Sequence, residues 1–220
     1  MQNKTPEKIQ ELFNHIAPHY DQNNDIISFF THRFIKKNVI ETLPELPANA
    51  RILDLCTGTG DIAALLKNKY ENVTGVDFCE GMLKVAHRKH KKINFIQADC
   101  LNLPFEDESF DLVTISFGLR NTENYDKALS EISRVLKHGG IFVHLDFGDA
   151  HKYADTVFHN VVKFIAELQG DDSYVYLLQS KHEFPSVEQL VELFTRHGLK
   201  YETRRDYLMG IISAQYCVKS

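Results

Sequence analysis

The chain has 220 residues, 43% of them apolar, and 25 Lys plus Arg against 30 Asp plus Glu give it a net charge of −5. That composition supports a buried core and excludes disorder, and its interspersed charges lack the concentrated basic face that nucleic-acid phosphates need, so no nucleic-acid partner is expected. No apolar run reaches the ~20 residues of a membrane-spanning helix; Met1 to Lys8 does not read as a leader, and Cys56, Cys79, Cys100 and Cys217 form no C-x-x-C pair, so a cytoplasmic protein with reduced thiols and no metal site is expected.

Residues 7–20 and 25–43 read as two helices, the first with Ile9, Leu12, Phe13 and Ile16 on one face, and Tyr20 and Asp21 fall in the loop between them. The short Val/Ile/Phe-rich runs 51–56, 73–77, 93–98, 111–116 and 141–147 read as strands. They alternate with helices over 60–69, 80–90 and 123–137, the last stopped by Gly139-Gly140. The stretch 150–180 reads as one or two helices with no strand between them, either a cover for a substrate or extra packing. A helix over 186–197 follows, then strands 199–207 and 210–219 joined around Gly210, a hairpin that adds an antiparallel strand to the sheet edge. Alternating strands and helices imply an α/β, doubly wound, mostly parallel sheet. Without internal repeats, one domain is expected: an N-terminal helical cap (1–50), a cofactor-binding core (51–148), a helical insertion near the substrate (149–183), and a final helix and hairpin (184–220).

Residues 52–61, I-L-D-L-C-T-G-T-G-D, run from a strand through a glycine turn into a helix. Gly58 and Gly60 allow torsions and close ligand approach that a Cβ hinders, which suits NAD, FAD, a phosphate or S-adenosylmethionine alike. Charge separates these. Asp61 and Asp54 would set negative charge beside a pyrophosphate at the helix N-terminus, and Ala63 stands where a dinucleotide fingerprint has its third glycine. The sulfonium and ammonium of S-adenosylmethionine are instead stabilised by nearby carboxylates. Asp77, ending the second strand, is placed for the ribose hydroxyls, its bland alternative being a helix cap; Asp99, after the third, suits the adenine amino group, and Asp111 opens the fourth.

With these residues in view the sequence resembles the ubiquinone/menaquinone biosynthesis C-methyltransferases, a family of class I S-adenosylmethionine-dependent methyltransferases. The resemblance starts at Phe13-Asn14-His15-Ile16-Ala17-Pro18-His19-Tyr20-Asp21 and runs through Asn24, Ser28, His32, the cofactor loop, Gly75 to Phe78 and Glu80 to Leu83. It is most specific at Phe117-Gly118-Leu119-Arg120-Asn121 and Arg134 to Gly140, and returns at Tyr174-x-Tyr176-Leu177, Phe184-Pro185 and Gly210. It implies a seven-stranded Rossmann-like sheet with helical lid segments. It also implies S-adenosylmethionine as donor, S-adenosylhomocysteine as product, and C-methylation of a polyprenylated quinol ring, demethylmenaquinol to menaquinol first among the choices. The expected cofactor residues are Asp54, Thr57, Gly58, Gly60, Asp77, Phe78, Met82, Asp99, Cys100 and Ser116.

Methylating a ring carbon needs an electron-rich ring, a way to handle the activating hydroxyl's proton, and exclusion of water. Arg120 and Asn121 follow the fourth strand and are the expected catalytic pair, Arg120 orienting a water and stabilising a phenolate rather than acting as a base. Tyr20 and Asp21 are expected to close over the cofactor; His15, His19, His32, His144 and His182 are weaker proton acceptors, each more often structural. A polyprenyl quinol resides in a bilayer, so transient membrane-surface contact through the N-terminal and 150–180 segments is expected, and the chain admits a homodimer. A methyltransferase for another lipid or small hydrophobic acceptor, or a non-catalytic S-adenosylmethionine-binding assembly subunit, are the rivals. The chain departs from the family pattern at Asn23, Phe34, His138, Asp146, Gly148 and Lys181-His182-Glu183.

Overall fold

The computed structural model describes residues 5–169 and 173–220. The sheet has seven strands, β1 (Arg51–Leu55), β2 (Asn72–Asp77), β3 (Asn94–Gln97), β4 (Phe110–Ser116), β5 (Leu136–Phe147), β6 (Leu199–Tyr207) and β7 (Ile212–Lys219). Their order is β3-β2-β1-β4-β5-β7-β6, with β7 alone antiparallel to its neighbours β5 and β6. The antiparallel strand is therefore inserted beside β5 and β6 takes the edge, where the sequence reading had set the antiparallel strand at the edge itself. Chain order reverses between β1 and β4, and a doubly wound sheet opens its ligand crevice at such a switch, outside the strands' carboxyl ends.

Helices α1 (Pro6–Ile16), α2 (Tyr20–Ser28) and α3 (Thr31–Glu41) precede β1. Three helices replace the expected two because the chain turns twice: α1 ends at Ala17, and Phe29 and Phe30 take φ of 48° and 63°, torsions no right-handed helix continues through. Tyr20 and Asp21 consequently sit in the first turn of α2, not in a loop. One sheet face is covered by Ile35, Val39 and Ile40 of α3 with Ile62, Ala63 and Leu66 of α4 (Asp61–Lys67) and Leu83 and Ala86 of α5 (Glu80–Lys89). The other is covered by Ala128, Leu129, Ile132 and Val135 of α6 (Tyr125–Val135) and by Leu190 and Phe194 of α9 (Val187–Arg196). Two caps fix these helix starts: Asn124 accepts from the Lys127 amide at 2.9 Å, and Ser186 with Gln189 forms a reciprocal capping box.

α6 stops two residues short of the expected end, and Gly139-Gly140 lie inside β5 rather than closing the helix. The pairing of β5 with β4 slips between Phe110 and Leu112, and Gly139, at φ 73°, carries the extra length of that bulge. After β5 come α7 (Lys152–Gln169) and α8 (Ser173–His182), the two-helix version of the 150–180 reading; residues 170–172, and 1–4 at the start, lie outside the described residues. A 3-10 turn over Leu208–Gly210 joins β6 to β7. No helix among the described residues is long and apolar enough to cross a membrane.

Candidate active site

Two clefts open at the carboxyl ends of the strands and share Tyr20 and Phe117 on their walls. The first, a cavity of about 110 Å³, lies over β1, β2 and β4. Its wall includes Gly58, Asp77, Phe78, Met82, Asp99, Cys100, Ser116 and Asn121, so seven of the ten expected cofactor residues meet there. Gly58 has φ 56°, and a Cβ built on it would project into open space rather than touch protein, so its missing side chain widens the cleft. The Gly58 amide donates to Asp77 Oδ2 at 2.7 Å and the Cys79 amide to Oδ1 at 2.8 Å. Asp77 is not the cap of α5, whose N-cap is Cys79, but braces the turn before it and faces the cleft; burial raises its proton affinity against those bonds.

Asp54, Thr57 and Gly60 do not form the cleft wall. Asp54 is buried beneath the loop, accepting from the Thr57 hydroxyl at 2.6 Å and the Thr114 hydroxyl at 2.7 Å, and desolvation pushes its carboxyl up to about 6. Gly60 caps α4 at φ 87°, where a Cβ would come within 2.9 Å of the His90 and Phe95 rings. These residues shape the loop that others present.

Asp61 does not supply the charge of the cleft wall either. Asp61 lies 3.4 Å from Lys36 Nζ and 2.9 Å from Lys89 Nζ, and although burial opposes ionisation, those ammoniums hold its carboxyl below the usual range. Its charge is spent on the lysines. Asp21 joins the same cluster, accepting from Lys89 at 2.7 Å and from the Thr59 hydroxyl at 2.6 Å, which fastens α2 to the glycine loop without bringing Asp21 to either cleft. Asp111 sits at the opposite end of β4, bound to the Arg51 amide and to Lys137. The acidic character of the cleft rests instead on Asp77, Asp99 and Glu123, with no lysine, arginine or histidine among the described residues of its wall. Such a wall fits a cationic nucleoside and opposes a pyrophosphate.

α1 roofs this cleft with Pro6, Ile9 and Phe13. Gln10 donates to the Phe78 carbonyl at 3.1 Å and Asn14 accepts from the Gly81 amide at 2.8 Å, stitching α1 to the turn after β2. The amphipathic spacing revealed the helix; only the fold shows which surface its apolar face meets.

The second cleft, about 560 Å³, is mostly apolar, walled by α2, α3, α7 and the Leu208–Gly210 turn. Arg120 enters it from the loop after β4. Its Nη1 donates to the Phe117 carbonyl at 2.7 Å and to Asp146 Oδ1 at 2.9 Å, and the guanidinium stacks 5.2 Å from the Phe147 ring centroid. Asn121, one residue on, faces the first cleft, its Nδ2 donating to the Phe117 carbonyl at 3.2 Å while its Oδ1 accepts from Tyr176 at 2.8 Å. The expected catalytic pair therefore straddles the two clefts. Of the weaker histidines only His32 lines either one. The walls Phe29, Tyr153, Val157, Leu208 and Met209 carried no sequence signal, since they converge from distant segments.

Sheet order, glycine loop and acidic cleft define a class I S-adenosylmethionine-dependent methyltransferase. The fold is shared with a SAM-dependent methyltransferase structure from Thermotoga maritima (TM-score 0.71, 19% identity, 96% of this chain and 100% of that one) and another from Methanococcus maripaludis (TM-score 0.67, 17% identity, 94% and 93%). In sequence, the chain is 36% identical to a demethylmenaquinone methyltransferase of Staphylococcus haemolyticus, over 95% of this chain and 92% of the relative. It is 39% identical to that of Thermus thermophilus, over 87% and 93%. The chain belongs to the ubiE/COQ5 methyltransferase family, matched over residues 1–219.

Proposed function

We propose that this protein transfers the methyl group of S-adenosylmethionine to a ring carbon of a polyprenyl quinol, converting a demethylmenaquinol to a menaquinol and leaving S-adenosylhomocysteine. The observation that carries this reading is the junction of an acidic cleft with a larger apolar one at Tyr20 and Phe117. Bound S-adenosylmethionine supplies an electrophilic methyl group. Asp77 holds the ribose hydroxyls, Asp99 the adenine, and Gly58, Phe78, Met82, Cys100 and Ser116 complete the wall. Arg120, oriented by Asp146, stabilises the phenolate that develops on the acceptor, while Asn121 and Tyr20 position ring and donor where the clefts meet.

The test is product mass after incubation with labelled S-adenosylmethionine and short-chain quinols, with and without dithionite. Methylation on carbon is expected only with the reduced ring, because oxidation removes its nucleophilicity; equal turnover of the quinone would refute the reading. Calorimetry is expected to show binding of S-adenosylmethionine and its demethylated product but not of NAD.

A lipid acceptor also explains the outer surface. Among the described residues, the large apolar side chains left exposed are Ile26, Phe29, Phe30, Phe34, Tyr153, Val157, Phe164, Val175, Leu208 and Met209, all on the helices and turn around the second cleft. Phe29, Phe34 and Met209 are 71%, 69% and 65% exposed. This rim supports transient docking on a membrane surface, where a prenyl tail can pass into the cleft without crossing water. Flotation with phosphatidylglycerol vesicles is expected to carry the wild type upward and Phe29→Ser/Met209→Ser much less; equal flotation would refute the docking.

A further inference from the structure

Any base for the acceptor hydroxyl has to stand on the acceptor cleft, whose ionisable wall residues are Tyr20, His32, Lys36, Arg120 and Tyr153. Lys36 is paired with Asp61 at 3.4 Å and Arg120 with Asp146 at 2.9 Å; as cations they have no lone pair to offer. Each tyrosine must first lose its own proton. Asp146 is completely buried and does not form the wall. That leaves one imidazole.

The hydrogen bonds of His32 fix its tautomer. Nδ1 lies 2.8 Å from Ser28 Oγ and 3.2 Å from the Asn24 carbonyl, while Ser28 Oγ donates its own hydrogen to that carbonyl at 2.6 Å. A carbonyl only accepts, so the Asn24 contact is satisfied by the tautomer with its hydrogen on Nδ1, which leaves the lone pair on Nε2. Asp25 Oδ1 is 3.6 Å from Nε2, too far for a hydrogen bond and near enough to stabilise an imidazolium once it forms. Asp25 is itself kept ionised by Arg33, whose Nε and Nη2 donate to its two oxygens at 2.6 and 2.7 Å. The charged groups acting on His32 are thus Asp25 from α2, Lys36 from α3 and Asp61 from α4; burial, then Lys36, outweighs the acids and lowers the ring's proton affinity.

We propose that His32 is the general base of the methyl transfer, taking the proton of the acceptor hydroxyl on Nε2, with Asp25 as the positioning residue that receives the charge. The assignment rests on the quinol methyltransferase reading above. The O–H bond breaks, its proton passes to Nε2, and its electron pair drives the ring carbon onto the methyl group, whose former bonding pair leaves with the donor sulfur. The proton on the methylated carbon then departs to solvent, the oxygen regains one from His32, and the sum is one methyl gained and one proton released. Arg120 stabilises the oxygen's negative charge from the other wall.

The experiment compares wild type, His32→Gln and Asp25→Asn on a reduced short-chain demethylnaphthoquinol across pH 5 to 9, with calorimetric S-adenosylmethionine binding alongside. His32→Gln is expected to lose about 10²- to 10⁴-fold in kcat and to abolish the acid limb of kcat/KM, with donor affinity unchanged because His32 is absent from the first cleft. A ring-halogenated quinol, whose hydroxyl ionises more readily, is expected to recover more rate in His32→Gln than in the wild type, a response that a purely structural loss would not give. Asp25→Asn is expected to move the acid limb to lower pH, because the imidazolium loses its partner. A wild type that methylates while His32→Gln keeps kcat within about threefold and retains the limb overturns the assignment alone. So does a halogenated acceptor that favours neither protein. If His32→Gln does not fold, Asp25→Asn decides, and an unmoved limb overturns the proposal. A wild type that methylates no quinol brings down the functional reading and this assignment with it.

Discussion

The two clefts are built by different means. The polar contacts of the donor side come from backbone and short side chains at strand ends, the Gly58 turn, Asp77 bound by two amides, Ser116, and Asp99 accepting from the Leu101 amide at 2.9 Å, under an apolar roof of α1. The acceptor side is made of long side chains on helices, joined by a few polar links such as Lys36 to Asp61 and Tyr176 to Asn121. The donor side can thus be kept rigid by the sheet's own ladder, while the acceptor side depends on how α2, α3, α7 and α8 pack. Substitutions on the donor side should act on binding, and those on the acceptor side on turnover.

The largest effect expected from that division is at Arg120. Removing one preorganised charged donor costs on the order of 10²- to 10³-fold in kcat, so Arg120→Ala is expected to lose about that much in kcat and kcat/KM together with donor affinity little changed. Arg120→Lys should recover part, since an ammonium lacks the planar guanidinium that stacks on the Phe147 ring. Near-normal turnover with normal S-adenosylmethionine binding would return Arg120 to a purely structural role in its buried pair with Asp146.

At Asp77 the division predicts the opposite pattern. Asp77→Ala is expected to weaken S-adenosylmethionine binding by about 1.5 to 3 kcal/mol, the range for hydrogen bonds to a charged group, and to leave turnover at saturating donor nearly intact. The ionised carboxylate is the binding form and burial raises its proton affinity, so wild-type affinity is expected to fall as pH drops through that raised value. Calorimetry at pH 5 and pH 8 measures this, and an Asp77→Ala protein that keeps both affinity and pH dependence would leave Asp77 as a brace of the turn alone.

A stability test separates loop shape from ligand contact. Gly60→Ala places a Cβ 2.9 Å from two rings at a φ of 87°, whereas Gly58→Ala meets nothing at 56°. Both carry left-handed strain of about 1 kcal/mol or more, but only Gly60→Ala adds overpacking, for a total of about 2 to 3 kcal/mol. Denaturant melts should therefore rank Gly60→Ala the less stable while Gly58→Ala loses more donor affinity. The reverse ranking would mean that Gly58, not Gly60, holds the loop.

What the sequence made legible follows the same line. The polar part of the donor side, Gly58, Asp77, Asp99 and Ser116, lies within residues 52–116, where strand, turn and helix recur at short spacing, while its apolar roof comes from α1. That seven of the ten named residues would share one cleft was legible before any fold was known, although the places of Asp54, Asp61 and Asp111 were not. Their partners Thr114, Lys36, Lys89 and Lys137 lie 25 to 60 residues away, and only the packed helices and sheet bring them together. The acceptor side gathers residues 20–36, 147–177 and 208–212, and no local period joins those segments. One departure from the family pattern becomes intelligible the same way: a Cβ at Gly148 would come within 2.7 Å of Ser213 and 2.8 Å of the Gly210 carbonyl, so the approach of β7 to the end of β5 leaves no room for a side chain there.

The smallest expected effect lies on the link between the two sides. Tyr176 of α8 donates to Asn121 Oδ1 at 2.8 Å, and burial pushes its own hydroxyl up to about 12, so it stays a donor across the working range. Tyr176→Phe deletes that single bond and leaves the ring's packing in place. A buried neutral hydrogen bond is worth about 0.5 to 1.5 kcal/mol, so kcat is expected to fall by roughly twofold to tenfold. Donor affinity should not change, because Asn121 keeps its bond to the Phe117 carbonyl. The variant also bears on how Asn121 works. If Asn121 acts only while α8 holds it, Tyr176→Phe and Asn121→Ala should be clearly less than additive in a double-mutant cycle. Additive losses would mean that Asn121 is positioned by its own loop and that α8 packs against the site without orienting it.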